Sequence, residues 1–308
     1  MRLPAMKRAV ARAADALLLT RLGHRVQVIT LSPFIRAVNY HGIAQADAAT
    51  FERHLQYYAR HFHAVDHQQL LAFHSGDWTP AGKPGLIISF DDGLKSQFDI
   101  AVRLLDSYGL PGWFFIPPGL VDMAEAEQRA AAERHGVLSG PEDNGERIFM
   151  SWPEIRSLRP RHMIGCHTYS HHRLSADTPP AAMEYEIVTA KQRLEAGIGE
   201  RVHAFCWVGG EEYSYSKAAA ELIRRAGFQI SFMTNHAPIR RGTSLLQLQR
   251  SNIEGGDPLW LARFQLSGAM DIMYSGKRRR VNRLTGAESA EQESVAGPGR
   301  APSRGAAL

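Results

Sequence analysis

The sequence predicts an α/β fold, a parallel sheet or barrel flanked by helices, and three observations carry that expectation. Two short runs, Gly85–Phe90 (GLIISF) and Gly112–Ile116 (GWFFI), are almost continuously apolar, as strands buried on both faces are. Helical and strand-like patterns alternate along most of the 308 residues, which argues for parallel strands joined by crossovers. The residues richest in chemistry follow directly after strand-like runs, where such folds place their sites.

Taken in order, residues 6–23 (MKRAVARAADALLLTRLG) read as a basic amphipathic helix with Val10, Ala14, Leu17, Leu18 and Leu22 on one side. Such a helix either packs on a core or rests on an anionic membrane surface. Residues 26–29 and Ile35–Tyr40 are β-rich, and the second run opens into a loop at Tyr40-His41-Gly42. Phe51, Leu55, Tyr58 and Phe62 stand at helical spacing. Residues 64–65 and 68–73 add a strand and a helix before a Pro/Gly-rich loop at 76–85. After the first buried strand come a helix over 97–107, the second buried strand and a helical insertion with a loop at 122–147. Helices at 152–158, 183–196 and 217–226 then alternate with strands at Met163–Cys166, 204–208 and 229–233. From 275 onward apolar periodicity is lost, so a basic, disordered tail is expected.

Charge follows this organisation. The net charge is +5, but residues 1–30 hold +5 and 275–308 hold +4, leaving −4 for the central domain, 31–274. The basic character belongs to the ends, and no nucleic-acid partner is expected. Cys166 and Cys206 are the only cysteines, which suits reduced thiols better than a disulfide framework. No stretch approaches the roughly 20 apolar residues of a membrane span. The apolar run at 16–20 is short, with Arg21 and Arg25 close behind it. The chain is therefore expected to be cytoplasmic, with peripheral contact at the inner membrane face open to the N-terminal helix.

Two motifs carry the chemistry. Asp91-Asp92-Gly93 ends the first buried strand. Adjacent carboxylates repel and lose hydration there, so a cation or partner is needed to compensate them, although aspartates also serve as turn formers and caps. Cys166-His167-Thr168-Tyr169-Ser170-His171-His172 follows another strand. An extended chain would hold His167 and His171 about 13 Å apart, so the segment must turn if both bind one ion. The other possibility is that they are ordinary surface or core histidines. Together the motifs offer an Asp/His/His set with a second carboxylate beside it, which is the make-up of a hydrolytic metal site with a general base.

These residues resemble the polysaccharide deacetylases of the NodB-homology, carbohydrate esterase family 4 type, over about Val38 to Asn235. Ser89-Phe-Asp-Asp-Gly93 is similar to the family's first motif, and His167-Thr-Tyr-Ser-His171 to its second. Ser151-Trp-Pro-Glu-Ile and Arg224-Arg-Ala-Gly-Phe228 add support. The resemblance implies a distorted, incomplete (β/α) barrel and makes 31–274 its catalytic domain. It implies Asp91 as base and Asp92, His167 and His171 as ligands of a divalent metal, with zinc expected. Val38-Asn-Tyr-His41 resembles the motif of a subgroup with an N-terminal general acid, which gives His41 that role.

The implied reaction is removal of acetyl from an N-acetylated sugar of a polysaccharide, or of its lipid- or nucleotide-linked precursor in exopolysaccharide synthesis. The family's third motif, R-x-P-[YF], is missing from Phe205-Cys-Trp-Val-Gly-Gly210. The oxyanion role then falls to the backbone of 207–210, and Arg250 is the nearest heir to the missing arginine. Trp113 and Trp207 are candidate sugar-stacking residues, with core packing the stronger reading for Trp113. Glu211 and Glu212 are candidates for a substrate amine or a solvated loop. A carbohydrate-binding or scaffold protein that has lost catalysis is the alternative suggested by the altered motif, and a hydrolase of another amide or ester is a third reading.

Overall fold

The computed structural model describes residues 18–137 and 147–286, together with Ala9, Arg12, Ala13, Asp15 and Ala16. The chain runs α1 (Leu19–Leu31), β1 (Ile35–Tyr40), α2 (Ala48–His61), β2 (His63–Ala64), α3 (His67–Ser75) and β3 (Gly85–Phe90). It continues through α4 (Arg103–Ser107), β4 (Gly112–Ile116), α5 (Pro118–Val121), α6 (Glu125–Arg134), α7 (Trp152–Ser157), β5 (Met163–Cys166), α8 (Pro180–Glu184), α9 (Ala190–Ile198) and β6 (Ala204–Cys206). The last part comprises α10 (Lys217–Arg225), β7 (Ile230–Met233), β8 (Leu248–Gln249), β9 (Ser251–Asn252), α11 (Leu259–Leu266), α12 (Ala269–Met273) and α13 (Ser275–Leu284).

Among the described residues nine strands form one sheet, in the order β8-β7-β6-β5-β4-β3-β1-β9, with β2 also on β3. Every ladder is parallel. The two edges belong to one stretch of chain: β8 pairs with β7, β9 pairs with β1, and only Arg250 lies between them. A single extended segment thus changes partner at Arg250 and nearly closes the sheet into a (β/α) barrel, as expected.

Closure gives each strand an inner and an outer face, and side chains alternate between them. Inside lie Ile35 and Ala37, Ile87, Trp113 and Phe115, Ala204 and Cys206, Phe232 and Leu248, with Leu70 and Phe73 of α3 in the same cluster. The alternate residues Val38, Tyr40, Ile88, Phe90, Phe114 and Ile116 pack outward with helix residues such as Phe51, Leu55 and Leu194. Both faces are therefore apolar, which is why the strands read as continuous runs. The same parity points Asn39, Asp91, His167 and Arg250 inward.

Two expectations are corrected. Residues 26–29 are helical, part of α1. Gln27 there donates to Leu266 O and Gly23 lies against Ser267 O, so packing on α11 overrides the β-rich composition. Residues 275–284 form α13, with Val281 fully buried, so the folded part extends past 274. Trp113 follows its stronger reading, core packing: it is buried among interior residues and donates Nε1–H to Val65 O, which leaves no face for a sugar. Val10, Ala14 and Leu17 of the amphipathic pattern, residues 138–146 of the insertion and 287–308 of the tail lie outside the described residues. Within them, no helix is long and apolar enough to cross a membrane.

Candidate active site

The carboxylate pair sits where β3 runs out. Asp91 keeps the inward parity of the strand, while Asp92 turns through a left-handed conformation (φ 79°) followed by Gly93 (φ 66°). Aspartate tolerates that region better than most residues. The turn is held from outside: Met150 N–H donates to Gly93 O and Lys95 N–H to Ile148 O. Residues 148–150 are in turn fixed by α7, whose capping box joins Ser151 and Glu154, with Arg147 on the Glu154 carboxylate. The Ser-Trp-Pro-Glu sequence is thus a helix start that braces the Asp91-Asp92 turn.

His167 extends β5, and the chain then turns at Thr168 and His171, both at φ 61°. A sequence reading foresaw the turn but not what holds it. Glu186, buried between α8 and α9, accepts from the backbone N–H groups of Tyr169 and Ser170 and from Ser170 Oγ. Spacing gives no signal for it, because the contact joins residues 16 or more apart. Glu186→Ala is expected to destabilise the protein by about 2–3 kcal/mol, since buried amides lose a charged acceptor. It should also loosen His171. Thermal denaturation and metal titration of the variant check both effects.

Asp92, His167 and His171 converge, with their ligand atoms within 4.8 Å of one another. The Nε2 atoms of His167 and His171 lie 3.5 and 3.1 Å from Asp92 Oδ1. His167 Nδ1 is 2.9 Å from Cys206 O and His171 Nδ1 3.2 Å from His135 O. A carbonyl can only accept, so both Nδ1 atoms carry hydrogen and the neutral rings present Nε2 lone pairs toward Asp92. Asp92 Oδ1 is buried without a hydrogen-bond donor.

Three lone pairs facing one point need a cation. Metal–ligand bonds of about 2.0 Å imply ligand separations of roughly 3.3 Å in a tetrahedral site, close to those seen. The electrostatics agree. Burial works against ionised Asp92, but His171 and His167 more than offset it and hold its carboxyl well below the usual range. Burial likewise disfavours a charged His167, yet Cys206, Asp91 and Asp92 raise its proton affinity well above the ordinary value, so the surrounding negative charge draws a proton to His167 unless a metal cation takes that place. The donor set therefore fits a divalent metal.

Asp91 stands beside this group, held by Arg250. Its Oδ1 and Oδ2 accept from Arg250 Nη1 and Nη2, both at 2.7 Å, and Asn39 Nδ2 donates to Oδ2 at 3.3 Å. Arg250 is buried in the barrel, donates also to Ser89 Oγ and Cys206 Sγ, and lies over the rings of Phe115 and Phe232. Burial raises the Asp91 pKa, but the Arg250 guanidinium and His167 outweigh it, so the group is held below the usual carboxylate range. The residue closing the barrel thus takes the orienting place left open by the altered third motif. Cys206, which sequence reading treated only as a reduced thiol, lies 3.6 Å from Asp91 Oδ1. Both cysteines are free and buried.

The cleft above has a volume of about 410 Å³, and His41, Asp91, Asp92, His167 and His171 all line it. The expected site residues are therefore together. His41 Nδ1 is 3.9 Å from a Glu254 carboxylate oxygen. In the 207–210 loop the Trp207 amide is bonded to Phe232 O and the Gly210 amide to Glu211, which leaves Val208 and Gly209 as the candidates for the expected oxyanion role. Gly209 has φ 81°, and a Cβ there would meet Arg173, Ser214 and Glu211 within 3.0 Å. Trp207 is 2% exposed and bonds Ser231 through Nε1, so it supports the loop and offers no stacking face. Glu211 is used by Gly210 and Ser214, and Glu212 by Arg280 of α13, so neither awaits an amine. The far wall comes from the C-terminal helices, with Met270, Tyr274 and Lys277.

Comparison with known proteins agrees with this geometry. Residues 79–231 match the family model described as polysaccharide deacetylase. No curated protein matches the chain. Among solved structures it is similar to the Streptococcus pyogenes deacetylase PplD (TM-score 0.60, 17% identity, 75% of this chain and 98% of that one). IcaB from Ammonifex degensii gives a TM-score of 0.60 at 19% identity, covering 77% of this chain and 98% of that one. A de-N-acetylase from Aggregatibacter actinomycetemcomitans gives 0.58 at 15% identity, covering 75% and 99%. At such identities these structures speak for the fold. The family-model match over residues 79–231, on a chain with the fold of these structures, identifies the protein as a member of the polysaccharide deacetylase family of hydrolases.

Proposed function

We propose that the protein is a metal-dependent N-deacetylase acting on an N-acetylated sugar of a polysaccharide or of its lipid- or nucleotide-linked precursor. The observation that carries this reading is the Asp92, His167 and His171 set with Arg250-held Asp91 beside it. Asp92, His167 and His171 would hold the ion, zinc being expected, and the ion would supply Lewis acidity toward a water and a carbonyl oxygen.

The chain's own groups do the rest. Asp91, ionised and aimed by two guanidinium bonds, takes the proton of the attacking water as it adds to the acetamide carbon. The backbone N–H groups of Val208 and Gly209 face the developing oxyanion. His41, beside Glu254, gives a proton to the nitrogen as the C–N bond breaks, and acetate and an amine leave. The altered third motif favoured a non-catalytic scaffold. The Arg250 fork on Asp91 supports the catalytic reading over that one.

Elemental analysis of the purified protein tests the reading. Near-stoichiometric divalent metal is expected, falling in Asp92→Ala and His167→Ala, with acetate released from N-acetylglucosamine oligomers by the parent alone. Failure to bind metal even after incubation with zinc would sink it.

A further inference from the structure

On the flank of the barrel, α1, α2 and the start of α11 enclose a second hollow of about 930 Å³ that takes no part in the chemistry above. Arg21 and Arg25 of α1, Arg53 and Arg60 of α2 and Arg263 of α11 all line it. Arg263 is paired with Asp15. Among the described residues none of the other four has a carboxylate within ion-pair distance. The chain's own N-terminal segment cannot supply one: Asp15 is the sole carboxylate in residues 1–46, against seven Lys and Arg. Four like charges gathered in one concavity repel each other, and a bound anion relieves that cost.

The remaining lining says which anion. The Tyr57 ring lies 4.5 Å from that of His61, and His24 packs on His61 and Phe62. Burial and the neighbouring guanidinium groups Arg60, Arg21 and Arg263 lower the His61 pKa, and burial with His61 and Arg36 takes His24 down to about 4. Both rings are thus neutral donors or acceptors at neutral pH. Planar guanidinium forks pair bidentately with carboxylate and phosphate alike, but a phosphoryl group, with more charge and three acceptor oxygens, can engage several forks at once. Leu18 and Leu22, more than half exposed, form an apolar rim.

The geometry points to a binding site for a phosphoryl group in the α1–α2–α11 hollow, formed chiefly by Arg21, Arg53 and Arg60 and separate from the deacetylase cleft. The two sites adjoin: His54 of α2 bonds Asp257 O, Asp257 lines the cleft, and Leu259 two residues on lines the hollow. A phosphoryl group there is either the headgroup of a membrane lipid or part of a soluble phosphate compound. The chemistry recognised is the same.

The test uses the full chain at physiological ionic strength, with inorganic pyrophosphate as the soluble probe and phosphatidylcholine vesicles with or without phosphatidic acid as the lipid probe. Arg21, Arg53 and Arg60 are all exposed, so the triple variant Arg21→Gln/Arg53→Gln/Arg60→Gln should fold and keep its acetate release. Its affinity for whichever probe binds is expected to fall about tenfold or more, as loss of charge-assisted bonds requires. Arg224→Gln, an exposed arginine on α10, should leave affinity unchanged. Binding of pyrophosphate alone assigns a soluble ligand, and binding of phosphatidic acid vesicles alone assigns a headgroup. Binding of neither probe, or equal affinity in the triple variant and the parent, overturns the proposal.

Discussion

Asp91→Asn is expected to lower acetate release by about 10²–10⁴-fold, the range for loss of a general base, while bound metal stays near stoichiometric. The separation follows from the geometry. Asp91 points inward to Arg250 and Asn39, whereas Asp92 turns outward from it to the two histidines. The ligand set therefore survives the change. The substitution has a stability cost, because Arg250 is left buried without its counter-charge, so rates are compared on protein shown to be folded by circular dichroism. His41→Ala should give a similar loss on an N-acetyl sugar by a different route, since the departing amine lacks a proton. An activated ester such as p-nitrophenyl acetate has a leaving group that needs none. His41→Ala is expected to spare that substrate and Asp91→Asn is not. Full activity of Asp91→Asn on an N-acetyl sugar would contradict the assignment of the base.

What the sequence made legible follows from the range of the interactions involved. Apolar runs at β3 and β4, and the chemistry at their ends, are local patterns, so the barrel, the Asp91-Asp92 turn and the His167–His171 turn could all be read. Residues 26–29 could not, because their helical state is set by Leu266 and Ser267, more than two hundred residues away. Glu186 and Cys206 escaped for the same reason: neither is near its partners in the chain, and neither sits in a pattern. α13 was missed because its only large apolar residues are Val281 and Leu284, too few to show a helical period in a run of basic residues. Its Arg280 holds Glu212 and its Arg278 bonds the Asn235 carbonyl, so polar contacts tie it to the cleft wall. Arg250 was named from the sequence only as a nearby arginine. Its role depends on the barrel closing at that residue.

That position makes Arg250 the most consequential side chain outside the metal set. Arg250→Met removes one partner of a buried ion pair and is expected to destabilise the protein by about 3–5 kcal/mol. Much of that comes from Asp91 left ionised and unpaired in the barrel. The double variant Arg250→Met/Asp91→Asn, which removes both charges, should therefore recover part of the loss. That recovery reports the buried ion pair itself, which a purely structural arginine would share. The kinetics separate the roles. Arg250 does not reach the cleft, so KM should change little while kcat falls, because the base is no longer aimed. In an Asp91→Asn background, removing Arg250 should cost nothing further in kcat, since the group it orients is already gone. Arg250→Lys keeps the charge but cannot bond both carboxylate oxygens and Ser89 from one planar fork, so it should retain much of the stability and little of the rate. Additive losses in kcat for the two single variants would show that Arg250 acts on the reaction by some path other than Asp91.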